Sequence, residues 1–168
     1  APSDVYKALI GTFPLLMENG WQTGAAAVIG LLLATALGLA TGTALAFSEP
    51  FRTAMYPNMV FFQLIPKVAL APLFIVWLGI GAESRLAFTV FITFFPIAIS
   101  TQAGLTVVDP NYIRLCRVLT ASKWQTFMHI RMPFALPSIF TGLKVGVTMA
   151  FVGVIVGEFI TSQSGLGY

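Results

Sequence analysis

Four long apolar runs, separated by short polar segments, dominate this sequence. They cover about residues 21–47, 53–78, 86–107 and 134–160. About 20 helical residues cross the hydrocarbon core of a bilayer, so each run is long enough to span it. Because lipid offers no hydrogen bonds, the backbone of such a run has to be helical. The sequence therefore predicts an all-α, polytopic transmembrane helical bundle, in which Pro57, Pro66, Pro72 and Pro96 kink or interrupt the helices.

Composition supports the same class and excludes several functions. The chain is 57% hydrophobic and 9% charged, whereas soluble domains carry about 25% charged residues. The basic residues are too few and too dispersed to follow a phosphate backbone, so no nucleic acid is expected as a partner. The single cysteine, Cys116, excludes an internal disulfide, and His129 is the only histidine, so neither a metal site nor a cofactor is predicted.

No catalytic residue is predicted either. The sequence has neither the G-x-x-x-x-G-K-[ST] loop that cradles nucleotide phosphates nor an H-E-x-x-H zinc motif. We therefore expect that the chain is not an enzyme.

Charge asymmetry between the loops predicts the orientation. With four crossings, residues 1–20, 79–85 and the tail after residue 160 share one side, and residues 48–52 and 109–132 share the other. The basic residues of the first side are Lys7 and Arg85; those of the second are Arg52, Arg114, Arg117, Lys123 and Arg131. The positive-inside rule places the second side in the cytoplasm.

Residues 1–20 are expected to lie on the outer membrane surface. Ser3 can cap a short helix in which Val5, Leu9, Phe13 and Leu16 recur at helical spacing. A frayed remnant of a longer chain is the alternative, because termini are often disordered.

Small residues mark the expected helix contacts. They recur at every fourth position in the first and fourth apolar runs: Gly30, Ala34, Gly38, Gly42 and Ala46, then Gly142, Gly146 and Ala150. Such stripes let two backbones approach closely in lipid. The neighbour is expected within this chain, with a second copy as the alternative.

The basic connector, residues 109–132, joins the third and fourth apolar runs. Asp109-Pro110 is a strong helix start. Residues 120–122 offer a break, after which Ser122 can cap a second short helix running to about residue 130, and Pro133 and Pro137 are expected to end this element. An ordinary basic loop that only fixes the orientation is the alternative.

Three segments resemble one known family in order along nearly the whole chain. They are LTASKWQTFMHIRMPFALPSIFTGLKVG in residues 119–146, IPKVALAPLFIVWLGIG in residues 65–81, and GEFITSQSGLGY in residues 157–168. They resemble the inner-membrane permease subunits of ABC importers, in the branch that carries nitrate, sulfonates, taurine and thiamine or pyrimidine precursors. The first segment is similar to that family's EAA loop.

The resemblance implies a fold, partners and a location. The fold is the type I ABC importer permease bundle, working as a homodimer in the bacterial inner membrane, as a multi-pass protein. The partners are cytoplasmic ABC ATPase subunits and a periplasmic or extracellular solute-binding protein. The resemblance also implies that residues 1–168 form a single transmembrane permease domain, with a further helix before Ala1 and another after Tyr168.

The resemblance further implies that the basic connector is a cytoplasmic coupling loop held in a groove of the ATPase. The residues implied for this contact are Arg114, Leu115, Cys116, Arg117, Leu119, Thr120, Ala121, Ser122, Lys123 and Trp124. The family pattern has Glu-Ala-Ala where this chain has Arg114, Leu115 and Cys116, and Gly where it has Thr120. These departures concern the bend of the loop and the charge contact made by that Glu.

Ionisable groups within the apolar runs are hypotheses for function, because they are costly in lipid. Gln63, Lys67 and Gln102 are predicted to line the solute pathway, where a cation favours anionic or polar solutes. Pairing of Lys67 with a backbone carbonyl or with Glu158 is the alternative. Lys144 is expected to extend to the cytoplasmic interface, and Glu158 to lie near water at the outer end of the fourth run.

The predicted function is that of a permease subunit of an ATP-driven importer. It would move a small polar or anionic solute inward by alternating access, the solute being of the sulfonate, nitrate, taurine or pyrimidine and thiamine-precursor type. A passive channel or membrane scaffold with a basic cytoplasmic docking loop is the alternative. The sequence does not identify the solute, since selectivity in such systems resides largely in the binding protein.

Overall fold

The computed structural model describes residues 11–161 and 165–167. Over these residues the chain is helical and contains no strand, which confirms the predicted fold class. The α-helices are α1 (Phe13–Phe47), α2 (Glu49–Leu64), α3 (Ala71–Leu78), α4 (Ala82–Thr106), α5 (Pro110–Val118), α6 (Lys123–Thr126) and α7 (Met132–Thr161). A 3₁₀ turn, Lys67–Leu70, precedes α3, and a π-helix, Phe127–Arg131, joins α6 to α7.

Three stretches of the described chain are long and apolar enough to cross a membrane. They are α1, α4 and the continuous stretch Lys123–Ile160. The α1 helix starts eight residues before the predicted position, because Phe13 and the residues after it continue into the apolar run without a break. Of the predicted interfacial segment, residues 1–10 lie outside the described part of the chain.

The directions of α1 and α4 require a further crossing between them, which is the second along the chain and brings the total to four. Gly30 of α1 lies against Thr89 of α4, and Gly42 lies against Thr101, so the residue numbers rise together and the two helices are parallel. The end of α1 and the start of α4 are therefore on opposite sides of the bundle. Residues 48–81, which connect them, have to return across its full thickness.

This second crossing is broken at Pro66. The axes of Glu49–Leu64 and Lys67–Leu78 are bent by 97°. Pro57 and Pro72 were also predicted to interrupt this run, and that prediction is wrong. Pro57 lies inside α2, where lipid leaves the backbone no better partner than the helix. Pro72 lies in the first turn of α3, where no intrahelical N–H bond is lost.

The two halves of the broken crossing pack at different depths of α4. Met59 of α2 packs against Phe95 and Ala98, nearer the end of α4 that leads into the basic connector. Ala71 of α3 packs against Phe88 and Ile92, nearer the other end. From α2 to α3 the chain therefore moves along α4 towards the N-terminal end of that helix, which is the path that a crossing requires.

The α7 helix runs antiparallel to α4 and packs closely along it. A Cβ on Gly142 would lie 2.6 Å from the Cβ of Ser100, and one on Gly153 would lie 2.9 Å from the Cα of Thr89. Glycines of α1 approach α4 to similar distances. The small-residue stripes therefore pack within the chain, as predicted, and α4 is the helix that both stripes contact.

A buried carboxylate joins α1, α4 and α7 at the end of the bundle away from the basic connector. Glu158 is fully buried, and it accepts hydrogen bonds from Thr23 Oγ1 at 2.8 Å and Arg85 Nη1 at 3.2 Å. The backbone N–H of Gly167 donates to the same carboxylate at 3.0 Å. Glu158 was expected near water, and this expectation is wrong because three elements close over the carboxylate and supply its donors.

Replacement of Gly42 tests the close packing of α1 on α4. A Cβ at this position would lie 2.5 Å from the carbonyl oxygen of Ala98. Gly42→Ala is therefore expected to lower the free energy of unfolding by about 1–3 kcal/mol. The measurement is unfolding of the purified protein in mixed micelles, followed by circular dichroism.

Gly24→Ala is the matched control on the same helix. Nothing lies within 4 Å of a Cβ at Gly24, so this change should be neutral or slightly stabilising through helix propensity. Equal effects of the two substitutions would contradict the packing described.

Candidate functional site

The basic connector begins with the predicted capped helix. Asp109 Oδ1 accepts a hydrogen bond of 2.8 Å from the backbone N–H of Asn111, and Pro110 is the first residue of α5. The carboxylate thus supplies a partner for one of the free N–H groups at the helix start. This confirms the helix start predicted at Asp109-Pro110.

Thr120 ends α5 in a conformation that normally favours glycine. Its φ is 54°, the one positive value among non-glycine residues of the described chain. The N–H of Thr120 donates to the carbonyl of Arg117 at 3.1 Å, and the N–H of Ala121 donates to that of Cys116 at 2.9 Å. These two bonds form a Schellman motif with Thr120 at the position where glycine is preferred. Thr120 is also the position at which the family pattern has glycine, and the structure places the bend of the connector at this residue.

Ser122 starts α6 through a reciprocal capping box. Its Oγ accepts from the N–H of Gln125 at 3.1 Å, while Gln125 Oε1 accepts from the N–H of Ser122 at 2.8 Å. The predicted break and second cap are thereby confirmed.

The helix that starts at Lys123 continues into the membrane, so the prediction that Pro133 and Pro137 end it is wrong. The π-helix Phe127–Arg131 ends two residues before Pro133. A proline ring clashes with the carbonyl four residues earlier in an α-helix, and a widened π turn relieves this contact. Pro137 lies inside α7. The second half of the connector, from Lys123 onwards, and the last membrane helix therefore form one continuous helix, which we name the helix rod.

Exposed apolar side chains on the connector form a surface that we name the apolar patch. Its members, with their exposed fractions, are Leu115 (54%), Val118 (79%), Leu119 (68%) and Trp124 (65%). Arg114, Arg117 and Lys123 beside them are also exposed. Clustered apolar residues with a charged surround are typical of a surface that binds another molecule.

The other predicted contact residues are less uniform in exposure. Cys116 and Ala121 are half-buried, whereas Thr120 and Ser122 are exposed. Val118 belongs to the patch although it was not among the residues implied by the resemblance. Its position three residues after Leu115, on the same helix face, was the signal that would have identified it.

Aromatic contacts and one arginine connect the apolar patch to the bundle. The ring of Trp124 lies 5.7 Å from that of Phe127, and Phe127 lies 5.4 Å from Phe47 at the end of α1. The guanidinium of Arg131 lies 5.1 Å from the centre of the Phe47 ring and donates to the carbonyl of Leu105 on α4 at 3.3 Å. Sequence reasoning used Arg131 only to assign orientation and did not identify Phe47.

The three predicted pathway residues have different surroundings. The ammonium of Lys67 lies 5.9 Å from the centre of the Phe95 ring. Gln102 is buried and lines a cavity of about 410 Å³ with Arg52 and Tyr56, and Gln63 is exposed. Phe95 and Gln102 are seven residues apart, so Lys67 and Gln102 lie along one face of α4.

The alternative in which Lys67 pairs with Glu158 is wrong. Glu158 is engaged by Thr23 and Arg85 at the opposite end of α7 from the connector. Lys67 instead lies on an aromatic ring, an arrangement that favours a cation electrostatically. The position of Lys67 after a helix break at membrane depth is compatible with a cavity-facing role.

Replacement of Thr120 by glycine tests the strained bend between α5 and α6. A β-branched residue at positive φ carries a cost of order 1–3 kcal/mol, which glycine does not have. Thr120→Gly should therefore raise the free energy of unfolding of the connector by about 1 kcal/mol, because the greater freedom of unfolded glycine offsets part of the gain. Hydrogen exchange of the α5 amides is the measurement.

Thr126→Gly is a control with the opposite expectation. Thr126 lies in α6 with helical backbone angles. Glycine there should lower the protection of the α6 amides against hydrogen exchange by about 1 kcal/mol or less. If the α5 amides also exchanged faster in Thr120→Gly than in the parent protein, the bend would not be strained.

Comparison with known proteins identifies relatives over most of the chain. Residues 28–168 match the family described as binding-protein-dependent transport system inner membrane component. The chain is 40% identical over 140 residues to the formylaminopyrimidine transport permease protein ThiX of Halalkalibacterium halodurans, covering 83% of this chain and 56% of that protein. It is 35% identical over 144 residues to the putative aliphatic sulfonates transport permease protein SsuC of Bacillus subtilis, covering 84% and 51%.

A third relative matches with similar identity and coverage. The chain is 32% identical over 152 residues to the taurine transport system permease protein TauC of Escherichia coli, covering 88% of this chain and 55% of that protein. The chain thus spans about half the length of these curated relatives.

Proposed function

Because this chain belongs to the binding-protein-dependent transport system inner membrane component family, we propose that it is a permease subunit of an ATP-driven importer. Its α1, α2–α3, α4 and α7 segments cross the inner membrane as part of a multi-pass protein. It works as a homodimer with cytoplasmic ABC ATPase subunits and a periplasmic or extracellular solute-binding protein. It is not itself an enzyme, and ATP is hydrolysed by the ATPase subunits.

The apolar patch is the observation that carries this proposal. Leu119 and Trp124 are about two-thirds exposed although they are large and apolar, and they belong to a connector with three exposed cationic side chains. A membrane-orienting loop needs only the charges. The apolar groups need a partner surface that removes them from water, and the ATPase subunit supplies it.

The helix rod supports mechanical coupling through this contact. Residues from Lys123 to Ile160 form one helical stretch of 38 residues, so displacement of α6 by the ATPase displaces α7. The Trp124–Phe127–Phe47 contacts transmit the same movement to α1. ATP-driven closure of the ATPases thereby shifts the equilibrium between inward-open and outward-open arrangements of the spans.

The solute is proposed to be small and polar or anionic, of the sulfonate, nitrate, taurine or pyrimidine and thiamine-precursor type. The names of three relatives refer to transport of formylaminopyrimidine, aliphatic sulfonates and taurine. In this chain, a cation inside the apolar part of the molecule, Lys67, agrees with selection of such solutes.

Charge insertion into the apolar patch tests the docking contact. Leu119→Asp should weaken binding of the ATPase at least about thirtyfold, because loss of a central contact costs 2 kcal/mol or more. The measurement is co-purification of the ATPase encoded with this chain, from membranes solubilised in mild detergent.

Val107→Asp is the matched control. Val107 is 72% exposed at the same end of the bundle but lies outside the connector, so the ATPase should stay bound. A passive channel or scaffold would retain no ATPase in the parent protein, and retention by Leu119→Asp would exclude the patch as the docking surface.

Neutralisation of Lys67 tests the pathway role separately. Lys67→Met should lower uptake of the solute carried by the neighbouring binding protein by roughly tenfold, the effect of about 1.4 kcal/mol of lost binding. Lys67→Arg should retain most of the uptake, and the ATPase should co-purify with both variants. Full uptake by Lys67→Met would exclude this role.

A further inference from the structure

One face of α7 carries polar groups that point away from the rest of the chain. The buried residues of α7 near its middle, Gly142, Gly146 and Ala150, pack towards α4 and α1. Thr141, Lys144 and Thr148 are exposed and lie on the opposite side of the helix, at three- and four-residue spacing. We name these three residues the polar stripe.

The polar stripe lies about midway between the two ends of the bundle. Arg131 and Glu158 mark the two ends of the bundle, and they are about 40 Å apart along the helix at 1.5 Å per residue. This length matches a bilayer including its headgroup regions. Lys144 is about 20 Å from Arg131 on the same scale. A lysine side chain does not reach across this distance, so the proposal below departs from the prediction that Lys144 extends to the cytoplasmic interface.

The ammonium of Lys144 has no hydrogen-bond or ion-pair partner in the described part of the chain. The two hydroxyls of the stripe donate to backbone carbonyls of their own helix, Thr141 to Pro137 at 2.9 Å and Thr148 to Lys144 at 3.4 Å. Their oxygens remain available as acceptors. An unpaired charge at this depth is incompatible with a lipid-facing surface, and such residues normally face a bundle interior or a water-filled cavity.

The described residues of a second copy of this chain offer no acidic group at the same depth. The acidic residues from residue 11 onwards all lie near the ends of the membrane helices: Glu18, Glu49, Glu83, Asp109 and Glu158. Glu158 is already engaged by Arg85. Pairing with a neighbouring copy through these acids therefore leaves Lys144 unsatisfied, and an anionic solute is a partner that matches its charge.

We propose that the polar stripe borders the translocation pathway and that Lys144 binds the anionic group of the solute at the bilayer midplane. The site takes a carboxylate, sulfonate or similar oxyanion, which accepts hydrogen bonds from the ammonium. This rests on the proposed importer function and adds to it a residue that binds the anionic group of the solute. Lys144 is distinct from Lys67, whose ammonium lies on the Phe95 ring.

Charged thiol reagents test the stripe without knowledge of the solute. The parent for labelling is the assembled transporter in membrane vesicles, with Cys116→Ser and Thr148→Cys. The probes are the anionic sulfonatoethyl and the cationic trimethylammonium-ethyl methanethiosulfonates, neither of which crosses lipid. The new thiol should react with both probes, because a pathway is hydrated, and faster with the anionic one.

Lys144→Gln then measures the effect of the cation. Positions four residues apart on a helix are neighbours, so removal of the charge should lower the ratio of anionic to cationic reaction rates at least about fivefold. Lys144→Arg should keep the ratio. Leu32→Cys is the control for a lipid-facing position, since Leu32 is an exposed residue of α1, and it should react with neither probe.

Two results would overturn the proposal: a thiol at position 148 that is inert to both probes, or a rate ratio that Lys144→Gln leaves unchanged. Co-purification of the ATPase with the unsubstituted protein, in which Cys116 is retained, separates this failure from failure of the importer function. An inert thiol at position 148, when the unsubstituted protein binds the ATPase, would disprove only the site. Absence of the ATPase from the unsubstituted protein would disprove the importer function, while the rate ratio would still report on Lys144.

Discussion

The close approach of α1 and α7 to α4 is the constraint on which the rest of the structure depends. Lipid provides no hydrophobic drive for helices to associate, so packing has to come from contact between backbones. At Gly42 and at Gly142 no side-chain volume is available: a Cβ would lie within 2.6 Å of atoms of α4. This closeness fixes the register of the helices, and the register then places Thr23, Arg85 and Glu158 at one level.

The same register sets the geometry of the basic connector. Because α4 ends at the same end of the bundle where α7 begins, the basic connector has to reverse the direction of the chain. The reversal uses two short capped helices and a strained residue, Thr120, between them. Arg131 then ties the connector back to Leu105 of α4 and Phe47 of α1. The apolar patch is thus held on a rigid element, which a docking surface needs if it is to transmit movement rather than absorb it.

Sequence patterns predicted the features that depend on local chemistry or on lipid. The four crossings, the caps at Asp109 and Ser122, and the within-chain role of the small residues all follow from such rules. The effects of Pro57 and Pro133 were not predictable in the same way, because neighbouring turns decide whether a proline ends a helix. The widened turn before Pro133 leaves no clear signature in the residue types.

The pairing of Glu158 illustrates what local rules miss. Its donors come from Thr23, Arg85 and Gly167, which are distant in sequence or lie in another element. A partial signal was present, since Arg85 and Glu158 were both assigned to the outer side of the membrane. Only the packed register shows that they meet, and that the carboxylate is buried rather than wet.

The ionisable residues of the membrane-crossing segments differ in how far the chain itself satisfies them. Glu158 has hydrogen-bond donors from several elements, and its charge is matched by Arg85. Lys67 has an aromatic ring, which stabilises a cation only in part. Lys144 has no polar partner among the described residues and points away from its own bundle. A charge satisfied within the chain stabilises the fold, whereas a charge left unsatisfied requires water, solute or another subunit beside it. By this criterion Glu158 is structural, and the surroundings that Lys144 requires have to be provided by the assembled transporter.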